Sequence, residues 1–133
     1  MAAPNIVNVT TITGVTTFHA GIAVTTGGKG SVGITTVVSN AASSGKVLKI
    51  NSLVAASIGS TTGVTLQYFN HANHASAAST VSIGMTLSVP TFSTLAIITK
   101  DNSVYLEENT SLGIFAEPAT GTIDVVCSYE EIS

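Results

Sequence analysis

Two adjacent carboxylates, Glu107 and Glu108, stand in the stretch SVYLEENTSLGIF (103–115). A pair of carboxylates is the working part of a glycosidase, one as acid and the other as base or nucleophile, facing each other across the scissile bond. Adjacent residues of a strand point to opposite faces, so these two converge only if a turn bends them together. The flanking apolar positions Val104, Leu106, Leu112 and Ile114 enclose five residues, Glu107 to Ser111, none of them strongly apolar. That pattern is strand, polar turn, strand, and it makes the glutamates a solvated corner. Glu117, Asp124 or Glu130 would be available as a distant partner, but nothing in the spacing requires one.

Other residues invite the same test. His71 and His74 in NHANH place two imidazoles close together, yet a zinc site takes about four ligands, and no acid or cysteine lies nearby. They read as polar loop residues, with a weak metal site at an oligomer axis as the alternative. GKGSVG (28–33) matches G-x-G-x-x-G through Gly28, Gly30 and Gly33. In a dinucleotide site that motif opens a helix and is followed by a ribose-binding acid about 20 residues on. Here a strand-like ITTVVSN follows, and the first acid is Asp101. We read the motif as a hairpin loop and expect no cofactor. Cys127, the one cysteine, lies on an apolar strand face without the base or helix N-terminus that would activate it. Serine, histidine and aspartate all occur, but there is no G-x-S-x-G elbow. Catalytic residues, cofactor and metal ligands are therefore all expected to be absent, and the chain is not expected to be an enzyme.

The composition narrows the class further. Charged residues are 8% of 133, against about 25% in ordinary soluble proteins. Residues 1–100 carry +4, from Lys29, Lys46, Lys49 and Lys100, whereas residues 101–133 carry −7. There is no arginine, so nucleic-acid binding, which needs a basic field, is set aside. MAAPNIVNV has neither the basic nor the apolar part of a secretory signal. Without such a signal, the N-x-[ST] matches at Asn8 and Asn109 read as chance. No apolar run approaches the ~18 residues of a membrane helix.

The elements that would position these residues are strands. Thr, Val and Ile favour a pleated sheet. In STVSIGMTLSVP (79–90), Val81, Ile83, Met85, Leu87 and Val89 alternate with small polar residues. TIDVVCSY (122–129) places Ile123, Val125, Cys127 and Tyr129 on one face, and GVTLQYFN (63–70) sets Val64, Leu66 and Tyr68 against Thr65, Gln67 and Phe69. Further strands are expected at 34–39, 47–56, 93–99, 103–106 and 111–116, with two more around Ile6–Thr13 and Gly21–Thr25. Only NHANHASAAS (70–79) lacks strand character and reads as a long loop. Eight or nine short strands separated by turn signals predict an all-β, single-domain antiparallel sandwich, jelly-roll-like, with residues 1–13 as an extended arm.

Four stretches carry a resemblance: PNIVNVT (4–10), VVSNAASSGKVLKINSL (37–53), VYLEENTSLGI (104–114) and CSYEEIS (127–133). The chain resembles small virion structural proteins of marine tailed bacteriophages, especially those infecting cyanobacteria. The resemblance runs from end to end, with 14–33 and 70–79 departing from it. It implies a non-enzymatic particle component, assembled in the host cytoplasm and located in the virion.

Low charge agrees with that expectation. Exposed sheet edges invite pairing with other chains unless lysine or proline blunts them, and the chain has four lysines and three prolines. Sparse charge also avoids like-charge repulsion around a symmetry axis. The expected role is a capsid decoration protein bound to the outer head lattice as a homo-oligomer, a trimer, against the major capsid protein or other virion proteins. Interface candidates are Ile6, Val7, Val9 and Ile12 in the arm and the loops 25–33 and 70–79. The alternatives are a neck, tail or fibre protein and a carbohydrate-binding sandwich. Sugar sites present exposed aromatics, whereas there is no tryptophan and Tyr68, Phe69, Tyr105 and Phe115 fall mostly in strand patterns that would bury them.

Overall fold

Side chains that alternate in polarity every second residue can bury one face of a strand and leave the other in water. Most of this chain does so. The computed structural model describes residues 8–23, 33–60, 62–117 and 122–133. They form strands β1 (Ile12–Ala23), β2 (Thr35–Asn40), β3 (Val47–Ile58), β4 (Thr62–Phe69), β5 (Thr80–Val89), β6 (Thr94–Ile98), β7 (Val104–Leu106), β8 (Thr110–Glu117) and β9 (Thr122–Ile132). One antiparallel sheet has the order β1–β9–β3–β6, with β7 also on β3; the other has the order β2–β8–β4–β5. Apart from the short β7, this is the strand order of a jelly roll, and the chain folds as an all-β sandwich.

The core lies between the sheets. Ile50, Leu53 and Ala55 of β3 and Ile123, Val125 and Cys127 of β9 meet Val64 and Leu66 of β4 and Leu112, Ile114 and Ala116 of β8. Each of them is fully buried. Full burial of one such aliphatic side chain contributes roughly 1.5–3 kcal/mol.

A second apolar cluster lies outside the sandwich. Alternation turns Phe69 and Phe115 away from the main core, yet both are buried, with Ile34 and Ala77, on the outer face of the second sheet. Gly113 makes room for them: a Cβ there would lie 2.5 Å from Ile34 Cγ2 and 2.8 Å from Phe69 Cε2. The stretch 70–79, read from sequence as a loop, covers this cluster and contains a 3₁₀ turn, His74–Ser76, capped by Asn73. Its small side chains let it lie close. Polar contacts then pin it, with Ser111 Oγ donating to the His71 carbonyl (2.8 Å) and the Ala72 N–H donating to Asn109 Oδ1 (3.2 Å).

Two local expectations are corrected. Of the two early strands expected around Ile6–Thr13 and Gly21–Thr25, the described parts Ile12–Thr13 and Gly21–Ala23 are the two ends of one strand, β1, which has a bulge between His19 and Ile22. Ile6, Val7, Val24 and Thr25 lie outside the described residues. The bulge is held by the Gly21 N–H donating to Asp124 Oδ1 at 2.7 Å. In β5 the five alternating apolar residues do not share a face. Irregular pairing with β4 sets Gly84 opposite Leu66, and Thr86 adopts a positive φ of 46°. Leu87 packs against the core and Val89 is buried in it, whereas Val81, Ile83 and Met85 are exposed. An edge strand has no neighbour on one side to enforce its register, and bulges there also blunt the edge.

Candidate functional site

The turn 107–109 answers the question of the paired glutamates. β7 belongs to the first sheet and β8 to the second, so this turn carries the chain across the sandwich. Asn109 supports it with a φ of 60°, and Thr110 Oγ1 donates to the Glu107 carbonyl at 2.8 Å. Glu107 is exposed, whereas the Glu108 carboxylate accepts the Gly45 N–H at 2.8 Å. One glutamate faces water and the other clamps a neighbouring turn. Asp124 is bound to the β1 bulge, and Glu117 ends β8 at the far end of the sandwich from these turns.

That neighbouring turn, 41–46, joins β2 to β3 and builds the most developed polar site among the described residues. Asn40 ends β2 and is 2% exposed. Its amide Nδ2 donates to the Lys46 carbonyl (2.8 Å) and the Leu106 carbonyl (3.1 Å), and its Oδ1 accepts from Ser44 Oγ (2.6 Å). One side chain thus ties the turn to β7. Gly45 sits at φ 67°, a conformation that strains residues with a Cβ, and this turns its N–H toward Glu108. The turn delivers Lys46 to Glu131 of β9, Nζ to Oε2 2.8 Å, the single ion pair among the described residues. Both partners are partly exposed, so the pair is worth at most about 1 kcal/mol to the fold.

Around this pair opens a cleft of about 360 Å³, lined by Ser39, Ser44, Leu48 and Tyr129 beside Lys46 and Glu131. Burial pushes the Tyr129 phenol above its ordinary range. The Glu131 carboxylate adds to that rise, and Lys46 offsets part of it. At neutral pH the phenol therefore keeps its proton. The cleft presents a donor, an acceptor, an aromatic ring and an apolar floor within one small volume.

Among the described residues, none of the interface candidates from sequence lines this cleft. Ile6 and Val7, like Gly28, Gly30 and Lys29, lie outside the described residues. Val9 is half-buried, and Ile12 is 61% exposed at the start of β1, paired with Ile132. The end of the expected arm is tied to the other terminus: the N–H groups of Thr10 and Thr11 both donate to the Ser133 carbonyl, at 2.7 and 3.0 Å. The two histidines of NHANH have different partners. His71 Nδ1 accepts the Asn73 N–H at 3.0 Å, while His74 Nδ1 lies 3.0 Å from Thr36 Oγ1 with its ring 5.7 Å from that of Phe69. His19 Nε2 lies 3.4 Å from the Val37 carbonyl.

Tyr129, Lys46 and Glu131 were not singled out by the sequence, because Lys46 and Glu131 are 85 positions apart. The only local signal was the turn sequence SNAASSGK itself. Of the four aromatics expected to be buried, Phe69 and Phe115 are, but Tyr105 is 46% exposed; Phe18 and Phe92 are exposed as well.

Cys127 is fully buried, and desolvation pushes its thiol up to about 12. A disulfide-exchange reagent at pH 8 is expected to leave the native chain untouched and to titrate one thiol after denaturation. The sign of the pH effect follows. The unfolded thiol ionises near 9.0 and the folded one does not, so this contribution to stability is complete below pH 9.0 and declines as pH rises toward 12. Unfolding curves of wild type and Cys127→Ala between pH 8 and 11 measure it, the decline being shallower in the variant.

No protein-family model matches the chain, and no curated protein does. Among solved structures it is similar to a subunit of Bacillus endospore appendages, described as a novel family of disulfide-linked pili. The TM-score is 0.51 at 13% identity, covering 100% of this chain and 96% of that one. The likeness is one of fold.

Proposed function

We propose that the chain is a non-enzymatic structural protein of a tailed-phage virion, a decoration protein that binds the outer head lattice as a homotrimer, against the major capsid protein. The observation that carries this reading is the outer face of the first sheet. There Phe18, Val126, Val54 and Ala96 are register partners in one row across β1, β9, β3 and β6. Phe18 is 72% and Val126 41% exposed. An apolar row that crosses all four strands of a sheet suits burial against another protein. The 41–46 and 107–109 turns lie at one end of the sandwich, and on the outer face itself only Asp124 of β9, bound to the Gly21 N–H, borders the row; charge this sparse suits repetition around an axis.

The fold shared with an appendage subunit supports reading the chain as a unit of an assembly. It also favours the second reading, a tail or fibre protein. Immunogold electron microscopy of particles, with an antibody against the folded protein, separates the two. Label over the head is expected; label confined to neck or tail selects the second reading, and unlabelled particles count against both. In an add-back assay on particles lacking the protein, Phe18→Thr with Val126→Thr is expected to abolish attachment while leaving the unfolding midpoint nearly unchanged, since both side chains are outward and threonine keeps strand preference without adding charge.

A further inference from the structure

We propose that the cleft between the 41–46 turn and the end of β9 binds a neutral sugar residue. The site's chemistry selects that class. Lys46 Nζ and Glu131 Oε2 stand 2.8 Å apart at the cleft. An ammonium has three N–H donors and a carboxylate about four lone-pair positions, so their mutual contact leaves capacity on both. A side-by-side donor and acceptor match two adjacent ring hydroxyls, one accepting from Lys46 while its neighbour donates to Glu131. The remaining walls are Ser39, Asn40 and Ser44 on the polar side, and the Tyr129 ring, Leu48 and Ala41 on the apolar side. The apolar side suits the C–H face that the same sugar ring presents on its other side.

Charge and size narrow the class. Lys46 and Glu131 cancel, and the Glu108 carboxylate of the neighbouring 107–109 turn is held at the Gly45 N–H. Among the described residues lining the cleft, no second cation is present to receive a phosphate or a uronate. A volume of about 360 Å³ lies at the lower end of small-molecule sites and has room for one ring. The turn is also held before any ligand arrives, by Asn40 on two carbonyls and by Glu108 on Gly45. A preformed site loses less freedom on binding. A decoration protein with this cleft would carry a glycan-binding point outward on the particle.

Two-dimensional amide NMR of the whole chain tests the proposal, with glucose, galactose, mannose and N-acetylglucosamine each added to roughly 50 mM, enough to detect binding weaker than millimolar. Glucuronate and inorganic phosphate serve as anionic probes. Saturable shifts with at least one neutral sugar, centred on Ser44, Gly45, Lys46, Tyr129 and Glu131, are expected. Glu131→Gln keeps the shape and removes the charge, and it should weaken that binding about tenfold or more while the spectrum stays dispersed. Tyr129→Phe, which keeps the ring, should retain most of it. The proposal is overturned if no neutral sugar gives saturable shifts, if only the anions do, if the shifts centre elsewhere, or if Glu131→Gln leaves the affinity unchanged.

Discussion

Phe69→Ala is expected to lower the unfolding free energy by about 3–5 kcal/mol, against a total of 5–15 for a domain of this size. Strand alternation alone would make Phe69 an outward residue of little consequence. Instead it is 0% exposed and sits among Ile34, Phe115 and the ring of His74, directly over Gly113. Truncation leaves a cavity that the sheet backbone beneath cannot fill, because strand spacing is set by its hydrogen bonds. It also removes the surface on which the 70–79 stretch rests. Urea denaturation should show a lower midpoint with an unchanged slope, and amides of 72–77 should exchange faster before global unfolding. Met85→Ala, 57% exposed on β5, is the control and should stay within about 0.5 kcal/mol. A loss below about 1 kcal/mol for Phe69→Ala would mean that the outer cluster is not seated as described.

Asn40→Ala has the second largest expected effect, about 2–5 kcal/mol, for a different reason. The amide satisfies the carbonyls of Lys46 and Leu106, one from each of two segments, and the side chain is buried. Alanine leaves both acceptors without their donor, and each buried, unmade hydrogen bond costs about 1–3 kcal/mol. Asn40→Asp should be at least as damaging, since a carboxylate oxygen would then face two carbonyl oxygens. The second readout is local. With the turn released, the Lys46–Glu131 pair loses its alignment, so backbone shifts at Ser44, Gly45 and Lys46 should broaden while the β4 and β8 core remains protected. A cost under 1 kcal/mol would show that water reaches both carbonyls.

These two residues mark the limit of what reading along the chain supplies. The positions of β2 to β9 were legible within a few residues, as were the same-face sets Val64–Leu66 and Ile123–Val125–Cys127, because side-chain direction in a strand repeats every two residues and is a local property. The EENT turn was legible for the same reason. Within the described residues 12–23 the two expected early strands were not separate, since polar, Thr-rich alternation there leaves little contrast between faces. The single apolar face expected of β5 failed at Thr86 and Gly84, where edge pairing rather than pattern set the register.

The uneven distribution of charge, the absence of arginine and the low total charge are properties of the chain as written, and the expectation of no nucleic-acid binding rests on them alone. Which face of β4 is the inner one, and that its outer face is buried too, depended on where the 70–79 stretch came to rest. The cleft depended on more still. Strand order within a sandwich is decided by the joint burial of elements far apart in sequence, which no local period encodes. Only that order sets the 41–46 turn beside β9, and Lys46 against Glu131 85 residues away.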